Sequence, residues 1–172
     1  MTAFLRFVGL LNAAVWCGSA IFLVIGLPAL FSPEMKRLLT AAGVGFAAES
    51  VVARFFILQY WCGGIALAHY MAEWLYCGRP LWRFNLGLVL VILSLGLAGG
   101  LYAQPKMRAL HITKYYARTS EQQTQAARAF AAWHAASETV NLLVIAGLIC
   151  YLWQVSRQSE PPRLLSFSKI RG

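Results

Sequence analysis

Residues Phe84 to Gln104 read FNLGLVLVILSLGLAGGLYAQ, a run without one charged side chain. A helix needs about 20 mostly apolar residues to cross the hydrocarbon core of a bilayer, so this run predicts a membrane-spanning helix. Three further windows meet the same criterion: residues 7–31, without a charge, and residues 55–77 and 130–155, with one Glu each. The sequence therefore predicts an all-α protein, an integral membrane four-helix bundle.

The composition supports a membrane protein of one domain. Of the 172 residues, 59% are hydrophobic and 12% are charged, whereas soluble domains carry about 25% charged residues. Fifteen Lys and Arg against six acidic residues give a net charge of +9. Because the basic residues lie almost wholly between the apolar runs, we expect them to meet anionic lipid headgroups. Membrane lipids are the predicted partners, and we expect no nucleic-acid binding.

The connections between the spans differ in length. Residues 78–83 form a tight turn with Pro80, which predicts that the second and third helices are antiparallel neighbours. The segments 32–54 and 105–129 are longer and are predicted to be partly helical extramembrane loops. The bundle is assigned to residues 1–155, and residues 156–172 are predicted to be a basic, flexible tail. Basic residues divide almost evenly between the two sides, so the orientation stays undecided.

Small residues predict a close helix contact on the third span. Gly96 and Gly100 have the GxxxG spacing, which lets the backbones of transmembrane helices approach closely. The contact lies either inside the bundle or between copies, so a homo-oligomer is one expectation.

Polar residues inside the spans are the candidates for function, since an ionisable side chain in a bilayer costs about 3 kcal/mol on insertion scales. His69 and Glu73 are four residues apart, as are His134 and Glu138, so each pair shares one helix face. A His beside a carboxylate can use its second ring nitrogen for a metal, a haem iron or a proton. The candidate site residues are His134, Ser137, Glu138 and Asn141, with a second polar stripe formed by His69, Glu73 and Asn12.

Depth along the helices separates the alternatives. At 1.5 Å per residue, the two His residues differ by about 15 Å along the membrane normal. That offset argues against a haem held between His69 and His134, and against a compact site of two His and two Glu. Three alternatives are left open. The first is a proton relay down the bundle, and the second is a set of polar residues that only fix helix packing. In the third, His134 alone holds haem b or a transition metal, with Gln59 or Gln104 at the same edge.

No nucleophile motif, phosphate-binding loop or HExxH zinc motif occurs in the sequence, so nothing beyond the polar stripes supports an enzyme. The leading hypothesis is a structural or accessory bundle in a homo-oligomer or a larger membrane complex. The alternatives are a haem- or metal-handling protein that uses His134, Glu138 and Asn141, and a proton-coupled carrier.

A family resemblance points to the fourth span. Phe130, His134, Ser137 and Asn141 resemble the pattern of small four-span proteins similar to transmembrane protein 205, which are grouped with a bacterial domain of unknown function. The first span resembles the family too, at Trp16, Gly18, Phe22 and the Pro28–Phe31 exit. The resemblance implies a four-helix bundle in a bacterial inner or organellar membrane, and supplies no reaction. More distantly, the layout is similar to copper-resistance-D-like membrane domains and small haem-associated membrane oxidases, an analogy of fold alone.

Overall fold

The computed structural model describes residues 2–77 and 83–157, and in these ranges every regular element is helical. The helices are α1 (Thr2–Gly26), α2 (Pro33–Leu38), α3 (Ala41–Cys77), α4 (Arg83–Ala98), α5 (Gln104–Tyr116) and α6 (Ser120–Arg157). A 3₁₀ turn, Leu27–Phe31, extends α1, and a π-helical segment, Gly99–Ala103, joins α4 to α5. Most of the predicted tail and most of the predicted tight turn lie outside the described residues.

Four helical stretches are long and apolar enough to cross a membrane, namely Ala3–Phe31, Ala41–Tyr76, Phe84–Tyr116 and Ser120–Arg157. In each, only 17–22% of the most apolar window is buried inside the protein. The outward faces are rich in large hydrophobic side chains such as Phe22, Trp61 and Leu143. An apolar outer surface of this extent suits lipid rather than water. The predicted all-α membrane four-helix bundle is confirmed.

The four long helices occupy the corners of the bundle. Helix α1 packs on α3 and α6, and α4 packs on the same two helices. Over the described residues, the backbones of α3 and α6 do not approach each other, so these two helices are diagonal. They meet through side chains in the centre, where the rings of Tyr70 and Tyr151 lie 6.3 Å apart. Trp16 of α1 packs edge-on against Tyr151 at 6.1 Å, and both side chains are fully buried.

Hydroxyl side chains define where three of the helices begin. The Ser32 Oγ accepts from the Met35 N–H at 3.3 Å, directly before Pro33. The Thr40 Oγ1 accepts from the Gly43 N–H at 3.1 Å, and the Thr119 Oγ1 accepts from the Gln122 N–H at 3.4 Å. Such N-caps satisfy backbone donors that have no partner within the helix. The segments between spans therefore become helices instead of loops.

Three of the four spans, of 33 to 38 residues, extend well beyond the length that the bilayer requires. Helices α3 and α6 have 37 and 38 residues, which at 1.5 Å per residue is about 55 Å, against a hydrocarbon core of about 30 Å. Helix α5 continues the third span in the same way and packs against α3 and α6. The first part of α3, all of α5 and the first part of α6 thus form a helical extension beyond the membrane. The predicted partly helical extramembrane loops are confirmed as this extension.

Candidate functional site

An open pocket of about 510 Å³ lies where the end of α1, helix α3, the α4–α5 junction and α6 meet. Its wall is mainly apolar, with Leu23, Val52, Phe56 and Val144 among the lining side chains. Pockets of this size and character are typical of small-molecule sites, which place a few polar groups in an apolar wall. The pocket lies at the base of the helical extension, because its walls combine span residues with residues of α5.

The predicted stripe on α6 lies in this pocket. His134, Ser137, Glu138 and Asn141 all line it. The His134 Nε2 lies 3.2 Å from the Glu138 Oε1, and these side chains are 52% and 66% exposed. The Ser137 hydroxyl points across the pocket and donates to the Met107 Sδ of α5 at 3.6 Å. The pair is therefore formed within α6 and open to a ligand.

Two amides add to the polar part of the wall. Gln59 and Gln104 both line the pocket. The sequence predicts these two amides at the same edge of the bundle as His134. Gln59 is buried, and its Oε1 has no hydrogen-bond partner among the described residues. A buried acceptor without a partner costs free energy unless water or a ligand supplies a donor.

A second His–carboxylate pair lines the same pocket and was not predicted. The His111 Nδ1 of α5 lies 3.5 Å from the Glu49 Oε1 of α3, and the Arg108 Nε lies 3.8 Å from the Glu49 Oε2. The His111 ring is buried and packs edge-on against Phe46 at 5.1 Å. The Phe130 ring lies 5.9 Å from His111 and 6.0 Å from the His134 ring. Phe130 therefore separates two His–Glu pairs in one pocket.

Helical periodicity carries the signal that could have found this pair. On α3, pocket-lining residues follow the three- and four-residue spacing of one helix face, at Gly45, Glu49, Val52, Phe56 and Gln59. The sequence predicts residues 32–54 and 105–129 to be connections between spans. For that reason, neither Glu49 nor His111 is assigned from the sequence to a helix face that lines a site.

The second predicted stripe lies elsewhere. The His69 Nε2 of α3 is 2.8 Å from the Leu5 carbonyl oxygen of α1, and the Asn12 amide donates to the Cys62 carbonyl oxygen at 2.9 Å. His69, Glu73 and Asn12 are absent from the described lining of the pocket. His69 and Asn12 join α1 to α3. His69 and Glu73 lie on α3, diagonally across the bundle from α6, whereas Asn12 lies on α1, which packs on α6.

The side chains that could act as metal ligands decide whether the pocket can hold a metal ion. Within residues 2–77 and 83–157, no group of three or more His, Cys, Asp or Glu side chains could hold a metal ion. His134 is the accessible imidazole in the pocket, and its Nε2 faces Glu138. A haem or metal on His134 stays a prediction.

The sequence matches a family described as a domain of unknown function, DUF4149, over residues 11–116. The chain belongs to the DUF4149 family. No curated protein and no solved structure matches it significantly. The matched part of the DUF4149 domain runs from α1 to the end of α5, so it includes Glu49, Gln59 and His111 but not the α6 stripe. This match agrees with the expected resemblance to a domain of unknown function.

Proposed function

We propose that this protein is a membrane-embedded binding protein for an amphipathic small molecule. The observation that carries the proposal is that His134, Ser137, Glu138 and Asn141 line one open pocket whose wall is otherwise mainly apolar. An apolar wall accommodates a hydrocarbon body, and a cluster of donors and acceptors on one helix fixes the orientation of a polar head.

The position of the pocket supports a ligand that reaches it from the bilayer. Leu23 and Val144 lie on the membrane-spanning parts of α1 and α6, whereas His111 lies on the extension. A molecule whose apolar body lies beside Leu23 and Val144 and whose polar head lies near His111 matches the polarity change at a membrane surface. The π-helical turn Gly99–Ala103 forms part of the wall, and such turns recur at functional sites.

The other hypotheses have less support from the geometry. The GxxxG glycines, one basis for a homo-oligomer or accessory subunit, contact α3 within the bundle: a Cβ on Gly96 would lie 2.9 Å from the Gln59 Oε1. A proton-coupled carrier would need a path between the stripes on the diagonal helices α3 and α6. The similarity to transmembrane protein 205 and the setting in a bacterial inner membrane remain part of the proposal. Membrane fractionation tests the setting.

The test fills the pocket with a large side chain and measures binding. Ala136 and its neighbour Ala135 are both exposed on α6, and of the two only Ala136 is in the described lining of the pocket. Protein held in amphipol is titrated with a neutral dansyl-labelled single-chain amphiphile, and fluorescence reports occupancy. We expect saturable binding at one molecule per chain, lost in Ala136→Trp and kept in Ala135→Trp. Binding that is unsaturable, or equal in the two variants, would overturn the proposal.

The same preparation tests the cofactor alternative. An absorption spectrum, oxidised and dithionite-reduced, is recorded together with elemental metal analysis. A Soret band or a stoichiometric metal that disappears in His134→Ala would make haem or a metal the ligand. A colourless, metal-free protein that binds the amphiphile supports the proposal as stated.

A further inference from the structure

A lysine occupies an unusual position on the pocket wall. Lys114 of α5 is half-buried and lines the pocket. Its Nζ lies 5.0 Å from the centroid of the Tyr115 ring and 5.6 Å from that of the Phe130 ring, and both rings line the pocket as well. Cation–π contacts hold the ammonium group over the rings. They do not satisfy its three N–H donors, which require hydrogen-bond acceptors.

Each of the two carboxylates that line the pocket lies beside other basic side chains and not beside Lys114. Glu49 lies beside His111 and Arg108, and Glu138 lies beside His134. Across the described ranges, no carboxylate lies within ion-pair distance of Lys114. Lys114 therefore presents a positive charge with no carboxylate at contact distance, beside an apolar cavity. An anion is the group that best complements such a charge.

We infer that the pocket binds a single-chain lipid with an anionic head, a carboxylate or a phosphate, and that Lys114 binds the head. The inference rests on the proposed function and deepens it. The hydrocarbon chain lies along the apolar wall near Leu23 and Val144, and the volume of about 510 Å³ suits a molecule with one chain. The head lies at the edge of the membrane, beside Lys114 and the Phe130 ring, which line the same pocket.

The experiment compares heads on a constant chain. Protein in amphipol is titrated by isothermal calorimetry with dodecyl phosphate, dodecanoate and uncharged monododecanoylglycerol, and with inorganic phosphate alone. We expect the two anionic amphiphiles to bind about tenfold more tightly than the uncharged one, the scale of one charge-assisted hydrogen bond. Inorganic phosphate should not bind measurably, because it has no chain to bury. Binding of free phosphate as tight as that of dodecyl phosphate would overturn the assignment of a lipid.

A matched pair of variants assigns the charge effect to Lys114. Lys114→Gln and Lys106→Gln each remove one positive charge from α5, and Lys106 is exposed and outside the pocket lining. We expect Lys114→Gln to weaken the binding of dodecyl phosphate about tenfold and to leave the binding of monododecanoylglycerol unchanged. Lys106→Gln should change neither. Equal binding of anionic and uncharged amphiphiles by the wild type, or equal losses in the two variants, would overturn the anionic head. Neither result would overturn the proposed function, which fails if no amphiphile binds saturably or if Ala136→Trp and Ala135→Trp bind equally.

Discussion

The imidazole of His111 lies directly against the backbone of Gly45, so that a Cβ at position 45 would overlap the Nε2 and Cε1 atoms of the ring. The two residues belong to α5 and α3, which pack together in the extension. Glu49, one turn further along α3, lies 3.5 Å from the opposite ring nitrogen, Nδ1. The glycine thus allows the ring to enter, and the carboxylate lies beside the other side of the ring. This contact fixes the wall of the pocket that α5 contributes.

Gly45→Ala should therefore destabilise the extension. A methyl group at this position forces His111 or the α3 backbone to move, and overpacking of this kind costs about 1–3 kcal/mol. Unfolding of the purified protein by added denaturing detergent, followed by circular dichroism, measures the loss. The control is Gly64→Ala on the same helix, where a Cβ meets no atom within 4 Å. There, the better helix propensity of Ala should leave stability unchanged or raise it by up to about 1 kcal/mol. Equal effects of the two substitutions would contradict the contact.

The two predicted histidines should respond differently to truncation. His69 is buried and bonds to the Leu5 carbonyl oxygen at 2.8 Å, so His69→Ala removes both a helix–helix hydrogen bond and packed volume. We expect a loss of about 2–4 kcal/mol in the free energy of unfolding. His134 is half exposed, and His134→Ala should cost less than about 0.5 kcal/mol, the usual limit for surface substitutions. Measurement of both variants in one detergent series separates the structural histidine from the one that lines the pocket. A folded, fully stable His69→Ala protein would contradict this division.

The sequence was sufficient to predict the architecture, because four long apolar runs leave a membrane bundle as the stable solution. It also predicted that the residues of the α6 stripe share one helix face, since residues 134, 138 and 141 lie on the same side of any α-helix. The sequence could not identify the groups on other helices that the histidines contact. His69 bonds to a backbone carbonyl oxygen of α1, and His111 meets Glu49 across α5 and α3. Such contacts depend on which helices are neighbours, and hydropathy does not encode that order.

Asn12 provides a sensitive test of the α1–α3 interface. Its amide Nδ2 donates to the Cys62 carbonyl oxygen at 2.9 Å in the buried core. Asn12→Leu loses this bond and should cost about 1 kcal/mol, the net value of a typical hydrogen bond. Asn12→Asp replaces the donor with an acceptor that faces another oxygen, and burial of a carboxylate in this core should cost several kcal/mol. Thermal unfolding in detergent should therefore rank wild type first, Asn12→Leu second and Asn12→Asp last. An Asp variant as stable as the Leu variant would show that the amide does not donate here.

The GxxxG glycines should act inside one chain. A Cβ on Gly100 would overlap the Tyr60 hydroxyl group of α3, and that hydroxyl donates to the Gly96 carbonyl oxygen at 3.5 Å. Gly100→Leu should therefore push α4 away from α3 and lower the free energy of unfolding by about 1–3 kcal/mol. The oligomeric state, measured by light scattering after gel filtration, should not change.

The control for this prediction lies on α4, in the same span. A Cβ added to Gly87 would meet no described atom within 4 Å, so Gly87→Leu adds the same bulk without a clash and should leave stability unchanged. If Gly100→Leu instead dissociated an oligomer while each chain stayed as stable as the wild type, the glycines would act between copies. That result would favour the accessory-subunit hypothesis over a self-contained pocket, because it would make this span a surface for another chain.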